Sequence, residues 1–312
     1  MKEITDDNDR SIPSRPAGDL CDDVMKRLHP DVTSIILTRV DGPAPGVRLL
    51  RAQGVDRLIS IAWQRPDDNV LRAWTAAGGD IEHIELIRIG HHTRGAADSE
   101  RPALVRALPV DGLDRLPGMI EEMVDDGGGH AILLDQITDL LRHAGFDRTY
   151  TAIEGLLDAA TRCSSLVVMS IHKDAPCGVP AGLAPSVECV LESIQTGESR
   201  MPQPAGTLGA MPTADRFELL RPARRRVLLR VLDTVGEIGI RPLARRLAEQ
   251  PVGTDYLDSP ERLAGMLYQV DLPMFAEADV IEFDADRGVV SLRLDAFQLW
   301  PFLELTRRMD GV

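Results

Sequence analysis

Apolar residues come along this chain in two rhythms. From residue 34 to about 191, short unbroken apolar runs alternate with stretches of helical spacing. Six runs read as strands: 34–37, 57–63, 84–89, 130–134, 165–171 and 187–191. Their lack of polar alternation marks strands buried on both faces. Helical spacing between them predicts helices over 69–77, 113–124 and 150–161. Strands separated by helices predict an α/β fold, a mainly parallel sheet with helices on both faces. Ahead of it, residues 1–16 are polar and expected to be disordered, and Leu20, Val24, Met25 and Leu28 suit a short amphipathic helix. The α/β domain is bounded at 17–195. Residues 196–214, rich in Gly and Pro and without periodicity, read as a linker. A second domain, α+β, then occupies 215–312.

The second rhythm belongs to that domain. A first helix opens at Arg221-Pro222, where proline has no first-turn N–H to lose, and carries Val227, Leu228, Val231, Leu232 and Val235 at helical spacing. Gly236 and Gly239 end it. A second turns Leu243, Ala244, Leu247 and Ala248 inward and Arg245, Arg246 and Glu249 outward. A third begins at Ser259-Pro260, an N-cap followed by an N1 proline. Its apolar positions Leu263, Met266, Leu267 and Val270 fall at i, i+3, i+4, i+7, which predicts one core face. Two strands follow, around Val280–Phe283 and Val289–Leu294, joined by a turn over 284–288. Three helices and a hairpin in this order read as a winged helix-turn-helix.

Specific residues sharpen that reading. Arg224-Arg225-Arg226-Val227-Leu228, Pro242-Leu243-Ala244-Arg245-Arg246-Leu247-Ala248, and Leu267-Tyr268-Gln269-Val270-Asp271-Leu272-Pro273-Met274-Phe275 running into Asp279-Val280-Ile281-Glu282-Phe283-Asp284 resemble the winged-helix output domain of haloarchaeal regulators. That family usually has histidine where Asp271 stands and lysine where Met274 stands; both departures remove positive charge near the end of the expected recognition helix. The resemblance implies DNA binding. The outward face of helix three is Glu261, Ala264, Gly265 and Tyr268, flanked by Arg262 and Gln269; Gln269 suits adenine, Arg262 guanine or phosphate, and Tyr268 a phosphate or a thymine methyl. Arg224, Arg225, Arg226 and Arg230 on helix one, with Arg241, Arg245 and Arg246, are expected on the phosphate backbone. The wing offers Arg287 between the acids Asp284 and Asp286.

The α/β domain carries its own resemblance. His130-Ala131-Ile132-Leu133-Leu134-Asp135 is an apolar strand ending in an acid, the form of a Walker B segment. With the helix and strand after it, and Ala184-Pro185-Ser186-Val187-Glu188-Cys189-Val190 beyond, the domain resembles the RecA/KaiC-like fold. A phosphate loop needs glycines, a lysine and a Ser/Thr. After the first strand stands Arg39-Val40-Asp41-Gly42-Pro43-Ala44-Pro45-Gly46-Val47-Arg48, where two prolines remove N–H donors and Asp41 faces the place of phosphate. After the second strand stands Ala62-Trp63-Gln64-Arg65, where the family has a catalytic glutamate. The domain is therefore expected to be degenerate: no nucleotide, no cofactor, no catalysis, with Asp135 vestigial and pairing locally.

Composition changes the picture in one respect. The formal charge is −14, from 49 acids against 35 bases. Among the bases only Lys2, Lys26 and Lys173 are lysine; the rest are arginine. Such an acidic, lysine-poor chain resembles a haloarchaeal cytosolic protein; at about 1 M salt a Debye length of ~3 Å keeps its net charge from repelling DNA at a distance. Residues 215–295 hold 12 bases and 15 acids, so most of the acid excess lies ahead of them. Cys21, Cys163, Cys177 and Cys189 lack the spacing of a zinc site. No apolar run is long enough for a membrane span, so a cytoplasmic protein is expected. His91-His92 and Gly127-Gly128-Gly129 form no recognisable metal or phosphate motif; Lys173 beside His172 at a strand end reads as exposed charge, with a base acting in trans in an oligomer as the alternative. The tail, with Phe297, Trp300, Pro301, Leu303 and Leu305, suits packing on its own domain or on a second copy, and two half-sites favour a homodimer. The reading that follows is a non-enzymatic transcriptional regulator. The alternative is a protein-interaction or signalling adaptor that does not bind DNA.

Overall fold

The computed structural model describes residues 32–63, 68–90, 104–124, 130–176, 178–192, 211–250 and 259–310. Its first half is built on seven parallel strands. Strand β1 (Ser34–Val40) leads into helix α1 (Ala44–Ala52). Then come β2 (Arg57–Trp63), α2 (Asp68–Ala76), β3 (Ile84–Gly90), β4 (Leu104–Pro109) and α3 (Leu116–Met123). After these follow β5 (His130–Asp135), α4 (Ile137–Ala144), α5 (Phe146–Arg162), β6 (Leu166–His172), α6 (Gly178–Leu183) and β7 (Cys189–Glu192). The strand order is β4-β3-β2-β5-β6-β1-β7, and each pairing is parallel. Both faces are covered, because alternate residues of each strand feed different clusters. Ile35, Leu37, Leu58 and Leu133 pack with Val47, Leu50 and Trp74 of α1 and α2. Ile36, Ile59, Ile132 and Leu134 pack with Ile120, Leu140 and Leu156 on the other side.

The six expected strands are present, within two residues at each start. The seventh, β4, is an edge strand with half-exposed positions, and its run is too short and too broken by Arg106 to announce itself. Helix α1 departs from the expectation of a loop. Pro43 and Pro45 fall at its N-cap and first turn, where proline costs no hydrogen bond.

The second half runs α7 (Thr213–Leu220), α8 (Ala223–Val235), β8 (Ile238–Gly239), α9 (Ile240–Ala248), α10 (Pro260–Met266), a π turn (Leu267–Asp271), α11 (Leu272–Glu277), β9 (Ile281–Asp284), β10 (Val289–Leu292) and α12 (Trp300–Asp310). Its three strands pair antiparallel in the order β8-β10-β9. The two halves share one apolar core: Leu228, Leu243, Phe275 and Trp300 belong to the same cluster as Ile36 and Leu134. At the seam Phe146 meets Phe297 and Trp300 edge-on, with ring centroids 5.6 and 4.8 Å apart. A Cβ on Gly178 would lie 2.4 Å from Asp295 Cα, and one on Gly182 2.5 Å from the Phe297 carbonyl oxygen, so both glycines are needed for the close approach.

The expected N-terminal tail and short helix, most of the linker, His91-His92, Gly127–Gly129, Cys21 and Cys177 lie outside the described residues. Among the described residues no helix is long and apolar enough to cross a membrane.

Candidate nucleic-acid interface

The site is built on α8, α9 and the helical run from Pro260 to Glu277. Ser259 caps that run: its Oγ accepts from Arg262 N at 3.3 Å, and Pro260 takes the first helical position. The π turn then changes the register. In a regular helix Leu263, Met266, Leu267 and Val270 share the core face. One extra residue per turn lets the buried positions run in steps of four: Leu263, Leu267, Asp271 and Phe275. Val270 is pushed outward and is 42% exposed, a correction to the expected core list.

The position that replaces it inward is an acid. Asp271 is 1% exposed, among leucines and a phenylalanine. Its carboxylate accepts from Arg224 Nε at 2.9 Å, Arg224 Nη2 at 3.2 Å and Arg225 Nε at 2.6 Å. A carboxylate this deep is tolerable only with such charge-assisted partners. Arg225 is itself buried, and its Nη2 lies 2.9 Å from Met274 Sδ. The structure thus corrects the expectation that Arg225 faces phosphate. The other helix-one arginines also turn to the protein. Arg226 Nη1 donates to the carbonyls of Leu220 and Arg221, and Arg230 Nη2 donates to the Leu303 carbonyl at 2.6 Å. In the sequence the signal for this pair is an acid at the end of an apolar stripe, Leu263, Leu267 and Val270, with an arginine run at 224–226 to meet it.

Most of the remaining candidates are at the surface. Arg241, Arg245 and Arg246 are exposed on α9, and Arg262, Tyr268 and Gln269 on the helical run packed against it. No ion pair holds these four arginines among the described residues. Tyr268 is 47% exposed and rests edge-on against Phe283 of β9. Arg287, in the turn between β9 and β10, is occupied by acids: its backbone N–H donates to Asp284 Oδ1 at 2.9 Å, and its guanidinium lies 3.8 Å from Glu237.

The far end of α8 ties the unit to the sheet. Asp233 accepts from Phe146 N at 2.7 Å and Asp147 N at 3.0 Å, so it caps α5 from 87 residues away. Burial raises its carboxyl above the ordinary 3.8, and the two N–H donors pull the other way. Arg307 on α12 adds a contact to Asp147 at 3.5 Å and to Glu304 at 3.2 Å.

The strand ends of the sheet carry a second polar cluster. Asp135 is buried, and the Ser170 hydroxyl donates to its Oδ1 at 2.6 Å. Gln136 N donates in turn to Ser170 Oγ at 3.1 Å, with Gln136 in the left-handed region at φ 64°. Lys173 Nζ donates to Asp41 Oδ2 at 3.0 Å, which raises the lysine pKa. Between β1 and α1 lie only three residues, and a Cβ on Gly46 would sit 2.7 Å from Leu133 Cδ1. Helix α1 therefore presses directly on the sheet. Among the described residues no group of three or more His, Cys, Asp or Glu is placed to hold a metal ion.

Comparison with known proteins gives the following. The model of a family described as a domain of unknown function, DUF7344, matches residues 217–291. No curated protein matches the chain. Among solved structures, the chain is similar to a protein of Pyrococcus horikoshii OT3, at 9% identity and TM-score 0.38, over 56% of this chain and 88% of that one. It is also similar to the ATPase EscN of the enteropathogenic E. coli type III secretion system, at 11% identity and TM-score 0.34, over 77% of this chain and 67% of that one.

Proposed function

We propose that the chain is a DNA-binding regulator without enzymatic activity, that its second half acts as a winged helix, and that its first half is a RecA-like scaffold. The observation that carries this is the segregation of arginines. In a chain of net charge −14, Arg241, Arg245, Arg246 and Arg262 stand exposed on two packed helices without acid partners among the described residues. Exposed, unpaired guanidinium groups on adjacent helices suit a phosphate backbone. Helix order and the short three-stranded sheet support the winged-helix reading. At the sheet, the Lys173–Asp41 pair and the close packing of Gly46 against Leu133 support reading the turn after β1 as no phosphate cradle. The scaffold then serves sensing or assembly, without nucleotide.

The test is a salt-dependent mobility shift of the full chain on duplex DNA. Each phosphate contact contributes about 0.9 to the slope of log affinity against log salt. Arg241→Ala/Arg245→Ala/Arg246→Ala is expected to flatten that slope by about 2 to 3 while leaving the fold intact. Unchanged affinity and slope in that variant would remove the proposal. Two copies per site form part of it, read from exposed Phe217 and Leu305 near the Phe217–Phe302 contact; a sedimentation mass of one chain at binding concentration would count against that part.

A further inference from the structure

We propose that the π turn makes Val270 a reader of thymine. The inference rests on the DNA-binding reading above and deepens it. Between buried Leu267 and buried Asp271, three consecutive side chains point out: Tyr268, Gln269 and Val270. Met274 follows on the same helical run, 37% exposed, with Val270 42% exposed. Val270 and Met274 stand four residues apart and so form a neighbouring exposed apolar pair on one flank of the run, and a π turn inside a helix is commonly placed at a functional site. The surrounding charge says what covers them. Arg262 precedes them on the same helical run and Arg241, Arg245 and Arg246 stand on the helix packed against it, so a polyanion is the occupant that charge complementarity selects. Within a major groove the one apolar feature of the base edges is the thymine 5-methyl group. The amide of Gln269, held between Tyr268 and Val270, matches the adenine N6–H and N7 pattern of the same A·T pairs. An apolar–amide–aromatic ridge therefore reads A·T content through methyl groups, and Asp271, the next residue after Val270, is drawn inward by its two arginines and does not stand on it.

The experiment uses the full chain and a duplex it enriches from a random pool. The same duplex is then made with uracil for thymine, which deletes only the methyl groups. Affinity is expected to fall about fourfold for each methyl buried. Val270→Ala is expected to bind the thymine duplex about as weakly as the wild type binds the uracil one, and to bind the uracil duplex as the wild type does. Met274→Ala gives a second, independent ratio. Equal wild-type affinity for thymine and uracil duplexes, with DNA binding intact, overturns the inference and leaves the DNA reading standing. No enriched duplex and no binding at any salt overturns both. Loss of self-association in Val270→Ala, with unchanged DNA affinity, overturns the inference in favour of a protein contact.

Discussion

Two groups of arginines lie within a few turns of one another and do different work. Arg224 and Arg225 point inward from α8 and close on Asp271, which is 1% exposed. Arg241, Arg245 and Arg246 point outward from α9. Sequence spacing treated all of them as one basic surface. The difference teaches that an arginine is assigned by its counter-ion more than by its neighbours in the chain. A guanidinium with a buried carboxylate is part of the core; one without is available to a ligand.

The largest expected effect breaks the inward group. Asp271→Ala leaves two guanidinium groups without their carboxylate, one of them buried, and is expected to cost about 3–5 kcal/mol in chemical denaturation. Combining Asp271→Ala with Arg225→Met is expected to recover a substantial part of that loss, because removing both partners spares the unpaired charge. A double variant as unstable as the single one would show that Asp271 does not act through Arg225. The outward group predicts the reverse: Arg245→Ala changes stability by no more than about 0.5 kcal/mol. The same logic rules out Arg224→Ala/Arg225→Ala/Arg226→Ala as a clean test of DNA binding, since it would also strip the core of its ion pair.

How much of this was legible follows the same line. Strands were readable because burial on both faces leaves unbroken apolar runs, and three helices of the second half because their caps and glycines are local signals. Val270 misled because regular helical periodicity cannot foresee a π turn. The α1 helix was hidden by Pro43 and Pro45, which look like breakers until they are placed at a helix start. The seam was invisible: nothing around Asp233 in the sequence points to Phe146 and Asp147, 87 and 86 residues away. The exposed candidates, Arg241, Arg245, Arg246, Arg262, Tyr268 and Gln269, stayed on the surface because outward positions on an amphipathic helix follow from its pattern alone.

A pH dependence sharpens the contrast between charges held inside and charges offered to solvent. Asp233, at the other end of α8 from the inward arginines, is largely buried, and burial raises its carboxyl above 3.8. The unfolded chain releases this proton near the ordinary value; the folded chain holds it to higher pH. In that window the folded state binds more protons, so stability falls as pH rises through it. The contribution is complete below the unfolded pKa and is lost once the folded group ionises. Asp233→Asn removes the titration and offers one carbonyl oxygen to two N–H donors, so a baseline loss of about 1 kcal/mol is expected. The unfolding free energy of the wild type minus that of Asp233→Asn should decline from about pH 3.5 upward and then level off. A difference that instead grows with pH would mean that the Phe146 and Asp147 N–H groups outweigh burial, and that the cap works as a fully stabilised carboxylate. Arg241→Ala, measured the same way, should track the wild type throughout, because it leaves Asp233 and its two N–H donors in place.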